Sequence, residues 1–458
     1  MPIEAYIEDI KGALAEGHLV LRAETGAGKT TVLQAALARD RKRNGKIIVL
    51  EPRRLAAVGA AQRCAELLGE APGRTIGYRV RGDSRTGPLT RLEFVTEAVF
   101  LRMIQDDPFM EGHSLVVFDE FHERSARGDL SLAFAAEAAE LREGLSLLVM
   151  SATLDTGDIA AYLECPVMDI PGRSFPVSVR YARERGDGLL SPCEEAASQA
   201  AELFRSCGGS VLVFLPGQRE LRDAEAELRR ADAAIPSRLL YGSMPLAEQK
   251  AILAADTRGT PSVILATSVA ETSLTVPGVR AVVDAGLSRF SRYHARSGMN
   301  ALVTERVSLA EAWQRAGRAG RLAPGTCVRC WAREDRLREA RDPELLRTEL
   351  SEIVLECALR GSVERGGVRW LTEPPARSWE AGVELLGILG LVSAGGALTE
   401  RGRRAAALGT DTRAAASLIS AAMGPNPDEV HLAALAAAAL RSEERRVGKE
   451  GRSRWAPY

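Results

Sequence analysis

At 458 residues, with 46% hydrophobic and 26% charged side chains, the chain has the composition of an ordinary soluble globular protein and room for roughly three domains of about 150 residues each. A formal net charge of −1 excludes a global field that would draw in nucleic acid, so any polyanion site must be a local cluster among the 60 Lys and Arg. Seven scattered cysteines exclude a disulfide framework, and no apolar run reaches the roughly 18 residues of a membrane-spanning helix.

The acidic start MPIEAYIEDI has the character of neither a signal nor a transit peptide, which points to the cytoplasm. Leu19 to Arg22 then reads as a short buried strand. Thr25-Gly26-Ala27-Gly28 can only turn, and Lys29-Thr30-Thr31 opens an amphipathic helix. This is the pattern of a phosphate cradle: Gly26 and Gly28 lack a Cβ, so consecutive backbone N–H groups can approach phosphate oxygens at a helix N-terminus. Lys29 reaches the β/γ-phosphates in such a loop and the Thr30 hydroxyl is a Mg²⁺ ligand. Ala23 stands where the consensus has its first glycine.

Ile47 to Leu50 is a second buried strand, followed by Glu51-Pro52-Arg53-Arg54 and a helix from about Leu55 to Leu68. Adjacent arginines at a strand's carboxyl end suit phosphate contacts. After a Gly/Arg-rich connection, Leu92 to Thr96 ends a strand and Glu97 to Gln105 forms a helix. Leu115 to Phe118 delivers Asp119-Glu120-Phe121-His122 to its carboxyl end, the edge at which open parallel sheets bind ligands. There Asp119 can hold Mg²⁺ and its waters, while Glu120 can orient or deprotonate an attacking water. Leu145 to Met150 is the next strand and runs into Ser151-Ala152-Thr153. Alternating β and α segments to about residue 170 predict one doubly wound α/β lobe, with Pro171 and Pro176 flanking a linker.

A second α/β lobe follows. Ser210 to Leu215, the charged helix Gln218 to Arg230, Ser262 to Ala266 and Ala281 to Asp284 are its elements. Thr267, Thr272 and Ser273 place hydroxyls where a phosphate backbone could be met. Leu287 to Asn300 is Arg-rich, compatible with a hairpin that touches a polyanion. Gln314 to Arg321, QRAGRAGR, repeats arginine every third residue, so that Arg315, Arg318 and Arg321 are expected to share a helix face and present an arginine finger to a γ-phosphate. Two glycines weaken such a helix by about 1 kcal/mol each, which argues against a bland solvated surface. Cys327-x-x-Cys330 lies in a strand-like stretch that points its thiols to opposite faces, and no second pair exists to complete a zinc site.

Taken in order, AETGAGKTT, EPRRLAA, DEFH, SAT, VLVFLPG, ATSVAETSLTVPGV and QRAGRAGR resemble the motifs of superfamily 2 helicases of the DEAH/RHA branch. DEFH, with Phe121 in the usual Ala position, and GLSRFSRYHARSGMNALVTERVS are similar to the bacterial HrpB-type ATP-dependent helicases. The resemblance covers roughly residues 1 to 440. It implies an α/β fold of two tandem RecA-like doubly wound lobes, 1–170 and 171–335, then a winged-helix domain at 336–408 and the start of a helical ratchet domain at 409–440.

The same resemblance implies ATP and Mg²⁺ in the cleft between the lobes. Thr25, Gly26, Ala27, Gly28, Lys29, Thr30 and Thr31 would bind phosphate, and Thr30 and Asp119 the metal. Glu120 would activate water, and Gln314, Arg318 and Arg321 would complete the site from the second lobe. His122, Ser151 and Thr153 would link nucleotide state to lobe closure. Arg63 would stack on adenine; its aromatic partner is replaced near Leu253, which opens the site to other NTPs. A single nucleic-acid strand, RNA rather than DNA, would contact Arg53, Arg54, Thr96, Thr267, Thr272 and Ser273, while Ala98 and Ser268 stand where the family has Gly and Asn.

The implied activity is nucleic-acid-stimulated ATP hydrolysis coupled to 3′-to-5′ movement along single-stranded RNA and strand unwinding, by a monomer with no membrane association. The alternative is a nucleotide-gated RNA clamp with little unwinding. Arg441 to Tyr458 resembles one reading frame of a common sequencing adapter, differing at Gly451 and Ala456, so a coding sequence cut near Leu440 with read-through beyond it is expected. A genuine basic tail is the alternative.

Overall fold

The structure is a computed structural model and describes residues 1–23, 26–152, 156–172, 175–183, 191–245, 247–249, 251–252, 260–271, 276, 278–294, 297–424 and 427–443. Among these, the first lobe is built on β1 (Leu19–Ala23), β2 (Lys46–Glu51), β3 (Ile76–Val80), β4 (Asp83–Arg85), β5 (Leu92–Thr96), β6 (His113–Phe118), β7 (Ser146–Ser151) and β8 (Val167–Ile170), in the spatial order β4-β3-β5-β2-β6-β7-β1-β8. Every pairing is parallel except β3 with β4.

Strands buried on both faces explain the near-continuous apolar runs. Along β2, Ile47 and Val49 join one core with Leu19, Leu21, Leu115 and Val117; Ile48 and Leu50 join the opposite core with Val95, Val116 and Phe118. The Gly/Arg-rich connection contains β3 and β4, strands that carry no continuous apolar run because Gly and Arg interrupt it.

The second sheet comprises β9 (Val177–Arg183), β10 (Ser210–Phe214), β11 (Ser237–Leu240), β12 (Val263–Ala266), β13 (Val279–Asp284) and, after a hairpin of β14 (Leu287–His294) and β15 (Met299–Arg306), β16 (Gly325–Ala332). Its order is β11-β12-β10-β13-β16-β9, all parallel. The Arg-rich run after β13 forms the first arm of that antiparallel hairpin. Cys327 and Cys330 of β16 are buried in the cores on opposite faces of the sheet.

Residues 336–350 cross back to the first lobe. Glu344 donates its N–H to the Arg124 carbonyl at 2.9 Å, and its carboxylate accepts from the Ala126 N–H at 3.0 Å. Helices Ser351–Leu359, Ala376–Ile388 and Glu400–Leu408 follow, with a single antiparallel bridge, Val392 to Leu398, between the last two. Leu350, Val354, Trp379 and Leu386 pack into the same core as Phe100, Phe118 and Leu130, so this helical unit shares its interior with the first lobe. Helices Thr412–Met423 and Pro427–Glu443 end the described chain; residues 444–458, most of the expected adapter-derived tail, lie outside the described residues. No helix among the described residues is long and apolar enough to cross a membrane.

Candidate nucleotide site and nucleic-acid cleft

The cradle sits between β1 and the helical segment that begins at Lys29. Gly26 and Gly28 adopt φ of 89° and 99°, in the left-handed region that favours glycine. A Cβ on Gly28 would also stand 3.0 Å from Met1 Cβ and 3.1 Å from Ile3 Cγ2. Ala27 is buried and its carbonyl accepts from the Ile3 N–H at 3.2 Å, so the N-terminal segment braces the loop. The Leu33 N–H bonds to the Gly28 carbonyl at 3.1 Å, a wide first turn. Thr25 lies outside the described residues. Thr31 is half-buried, and its carbonyl, like that of Thr30, is approached by the Cys64 thiol.

β6 ends at the same edge. Thr30 Oγ1 donates to Asp119 Oδ2 at 2.5 Å, and Lys29 Nζ lies 3.3 Å from Glu120 Oε2, with all four side chains largely or partly buried. Glu120 takes a left-handed φ of 49°, a strained geometry for a non-glycine residue at the turn out of the strand. Burial pushes the Glu120 carboxyl up, but the charges of Lys29, His122 and Arg318 outweigh it and hold the group at about 2. Burial lowers Lys29, yet the Glu120 and Asp119 charges prevail and leave it raised. Burial keeps the His122 imidazole below its usual value despite Glu120 at 3.5 Å. His122 Nδ1 accepts from the Ala152 N–H at 3.4 Å, which ties the β6 turn to the end of β7, where Ser151 is buried. Thr153 lies outside the described residues.

Sequence reasoning missed Glu51, the last residue of β2, which is 0% exposed. Neither of its carboxylate oxygens has a hydrogen-bond partner among the described residues. Burial, then the charges of Asp119 and Glu120, push it well up. Its signal was the acidic residue before Pro52, overshadowed by the two arginines that follow. A hydroxyl and a carboxylate converge at Thr30 and Asp119, a hard-oxygen set that fits Mg²⁺ shared with phosphates and waters. Among the described residues no group of three or more acidic, His or Cys side chains would cage a metal unaided.

The second lobe supplies the opposite wall. Arg318 and Arg321 lie within electrostatic reach of Glu120. Burial, then the neighbouring Arg321 charge, push Arg318 down, and burial pushes Arg321 down to about 10, an arrangement suited to a polyphosphate anion. Arg318 Nη2 also donates to the Glu271 carbonyl. Arg315 departs from the expected shared face. The helix Leu309–Gly317 ends before Arg318, so the three arginines diverge. Arg315 is 1% exposed and turns into its own lobe, donating to Glu271 Oε1 at 2.6 Å and Asp284 Oδ1 at 2.7 Å, its guanidinium 5.0 Å from the Phe214 ring centre. A cavity of about 330 Å³ between the lobes brings together Arg53, His122, Ser151, Ser268 and Gln314.

A second cavity, about 610 Å³, is lined by Arg54, Thr96 and Ala98, joined by Arg79, Arg81, Arg102 and Arg127, which sequence reasoning did not single out. Arg79 and Arg81 alternate along and just beyond β3, the signal hidden in the Gly/Arg-rich connection. Thr267 is half-buried at the end of β12; Thr272, Ser273 and Leu253 lie outside the described residues. Arg63 is exposed on the helix Arg54–Leu68 and pairs with Glu66 at 3.0 Å.

Two tandem, almost wholly parallel sheets, with a glycine-rich cradle and paired carboxylates on one facing arginines of the other, form the two-lobed RecA-like architecture of helicases. The chain matches the DEAD/DEAH box helicase family over residues 5–161 and the helicase conserved C-terminal domain over residues 195–323, and it belongs to this family. Within it, the chain is similar to the ATP-dependent RNA helicase HrpB of Escherichia coli, 43% identical over 455 residues, which is 97% of this chain and 55% of that protein. It is 34% identical to E. coli ATP-dependent RNA helicase HrpA over 92% of this chain and 33% of that one. A crystal structure of the E. coli DEAH/RHA helicase HrpB superposes with a TM-score of 0.87 at 42% identity, over 96% of this chain and 56% of the other. The chain thus spans about half the length of HrpB or less of these relatives.

Proposed function

We propose that the chain hydrolyses ATP, and other NTPs through a loosely specified base site, in a reaction stimulated by single-stranded RNA and coupled to 3′-to-5′ translocation and strand unwinding in the cytoplasm. The observation that carries this reading is the convergence of Lys29, Thr30, Asp119 and Glu120 from one lobe with Arg318 and Arg321 from the other. In this reading the helices after residue 350 are a winged-helix domain and the beginning of a ratchet domain.

Glu120 is the base that takes a proton from the attacking water. While paired with Lys29 it is held at about 2 and is a poor base. Phosphate binding would draw Lys29 toward the nucleotide and relieve that pairing, which raises Glu120 basicity only when substrate is in place. Gln314 would orient the water, and Arg318 and Arg321 would balance charge that builds on the transferring phosphoryl group. Mg²⁺, held by Thr30 and Asp119 with the phosphates, would supply Lewis acidity when bound. Closure on the nucleotide brings the lobe surfaces at Thr96 and Thr267 into a new relative position, and a strand held by both would be advanced.

Hydrolysis measured with and without single-stranded RNA, single-stranded DNA and duplex tests this. Stimulation by single strands with displacement of a paired strand is expected. RNA binding with hydrolysis but no displacement would leave a nucleotide-gated clamp, and absence of stimulation by any nucleic acid would overturn the reading.

A further inference from the structure

The two adjacent arginines after β2 do different things. Arg54 is exposed and lines the 610 Å³ cavity. Arg53 turns the other way, into the cleft between the lobes. Its Nη1 donates to the Ser268 carbonyl of the second lobe at 2.7 Å, and its Nη2 lies 3.2 Å from Glu123 Oε1 of the first. Both partners belong to segments that already matter. Glu123 directly follows His122, and its N–H returns to the Glu120 carbonyl at 3.0 Å. Ser268 directly follows Thr267 and opens a single turn closed by the Glu271 N–H at 3.0 Å; the Glu271 carbonyl accepts from Arg318.

One guanidinium therefore touches the turn that carries the water-activating carboxylate and the turn that leads from Thr267 to the Arg318 contact. A planar guanidinium satisfies two partners at fixed angles, which an ammonium does not. With both terminal nitrogens engaged, one on a backbone carbonyl and one on a carboxylate, the group has little left for a phosphate. We propose that Arg53 is a positioning residue, an inter-lobe clamp that holds the Thr267–Glu271 turn against the first lobe and couples strand binding to cleft closure, in place of the nucleic-acid contact that the family resemblance implies. The inference rests on the helicase reading above.

The test uses the whole 458-residue chain with donor and acceptor dyes on click-reactive residues at the exposed positions Glu8 and Asp223, one on each lobe. Arg53→Ala, Arg53→Lys and Glu123→Gln are compared with the parent. For a clamp, both Arg53 variants lower energy transfer between the lobes and reduce RNA-stimulated turnover within the roughly 5- to 150-fold range of allosteric couplings. Nucleotide-free affinity for a single-stranded oligouridylate would stay within about twofold and its salt dependence would not change slope. Glu123→Gln would give a smaller loss in the same direction. A phosphate contact predicts the opposite pattern: Arg53→Ala flattens the salt slope by about 0.7 with inter-lobe transfer unchanged, and Arg53→Lys, still a good phosphate partner, behaves like the parent. That result would overturn the clamp. If the parent itself shows no stimulation by RNA the helicase reading falls, while the energy transfer still reports whether Arg53 holds the lobes together.

Discussion

Replacing Arg315 with alanine separates a structural arginine from its neighbours in the QRAGRAGR run. The guanidinium is 1% exposed and is bonded to two carboxylates, Glu271 and Asp284, of which Asp284 is fully buried, and to the Leu287 carbonyl at 3.2 Å. Burial alone would lower its proton affinity, but Asp284 and Glu271 more than compensate and hold it firmly charged. Truncation leaves those carboxylates without their cation in a low-dielectric interior, a change that costs about 3–5 kcal/mol when a buried pair is broken. Loss of stacking on Phe214 adds a smaller amount of the same sign, about 0.5–2 kcal/mol. Taking about 3.5–7 kcal/mol as the combined figure and about 2–4 °C per kcal/mol for a lobe of this size, the second lobe should melt roughly 7–28 °C earlier. Scanning calorimetry of Arg315→Ala beside Arg318→Ala measures this. Arg318→Ala should keep its melting temperature to within a few degrees and lose about 10³ in turnover. An Arg315→Ala protein that melts like the parent yet has lost its turnover would refute the structural assignment.

Glu120→Gln should reduce hydrolysis by about 10² to 10⁴ while nucleotide affinity, followed by a fluorescent analogue, stays close to that of the parent; normal turnover would remove Glu120 from its role. Arg54→Ala should weaken oligonucleotide binding to a similar degree for every sequence and flatten the log–log salt slope by about 0.7, the value for one phosphate on a single strand. Glu97 gives a pH dependence. Burial pushes its carboxyl up to about 7, against the hydroxyl of Ser125, which donates at 2.6 Å. Its folded value lies above the ordinary 4.5, so its stabilising contribution is complete below that pH and is lost as pH rises through about 7. Because Glu97 lines the cavity with Arg54 and Thr96, its ionisation places negative charge beside the proposed strand path. RNA affinity at constant salt should therefore fall between pH 6 and pH 8, roughly the span of the titration, and anisotropy measurements on Glu97→Gln should show that fall abolished; an unchanged pH dependence would assign it to another group.

Local information was enough for much of the molecule. Strand ends at Phe118 and Ala266, and within one residue at Glu51, were legible because apolar runs bounded by Pro, acidic or hydroxyl residues are a nearest-neighbour signal, and the cradle was legible because its glycines and lysine are contiguous. The sequence determined by itself which residues gather at the carboxyl edges of the strands. The tertiary structure decided which way each arginine faces. Arg315 was expected beside Arg318 and Arg321, but its partner Glu271 lies 44 residues away and Asp284 lies 31 away, and those buried charges draw it inward. Arg53 and Arg54 are identical neighbours in a pattern, yet one meets a carbonyl 215 residues further along while the other meets solvent. Glu51 opens the EPRRLAA run but was given no role there, and it became a buried neighbour of Asp119 and Glu120 only once β2 lay beside β6. A guanidinium's role is set by which acceptors surround it, and those are brought together by chain crossings that no local pattern encodes.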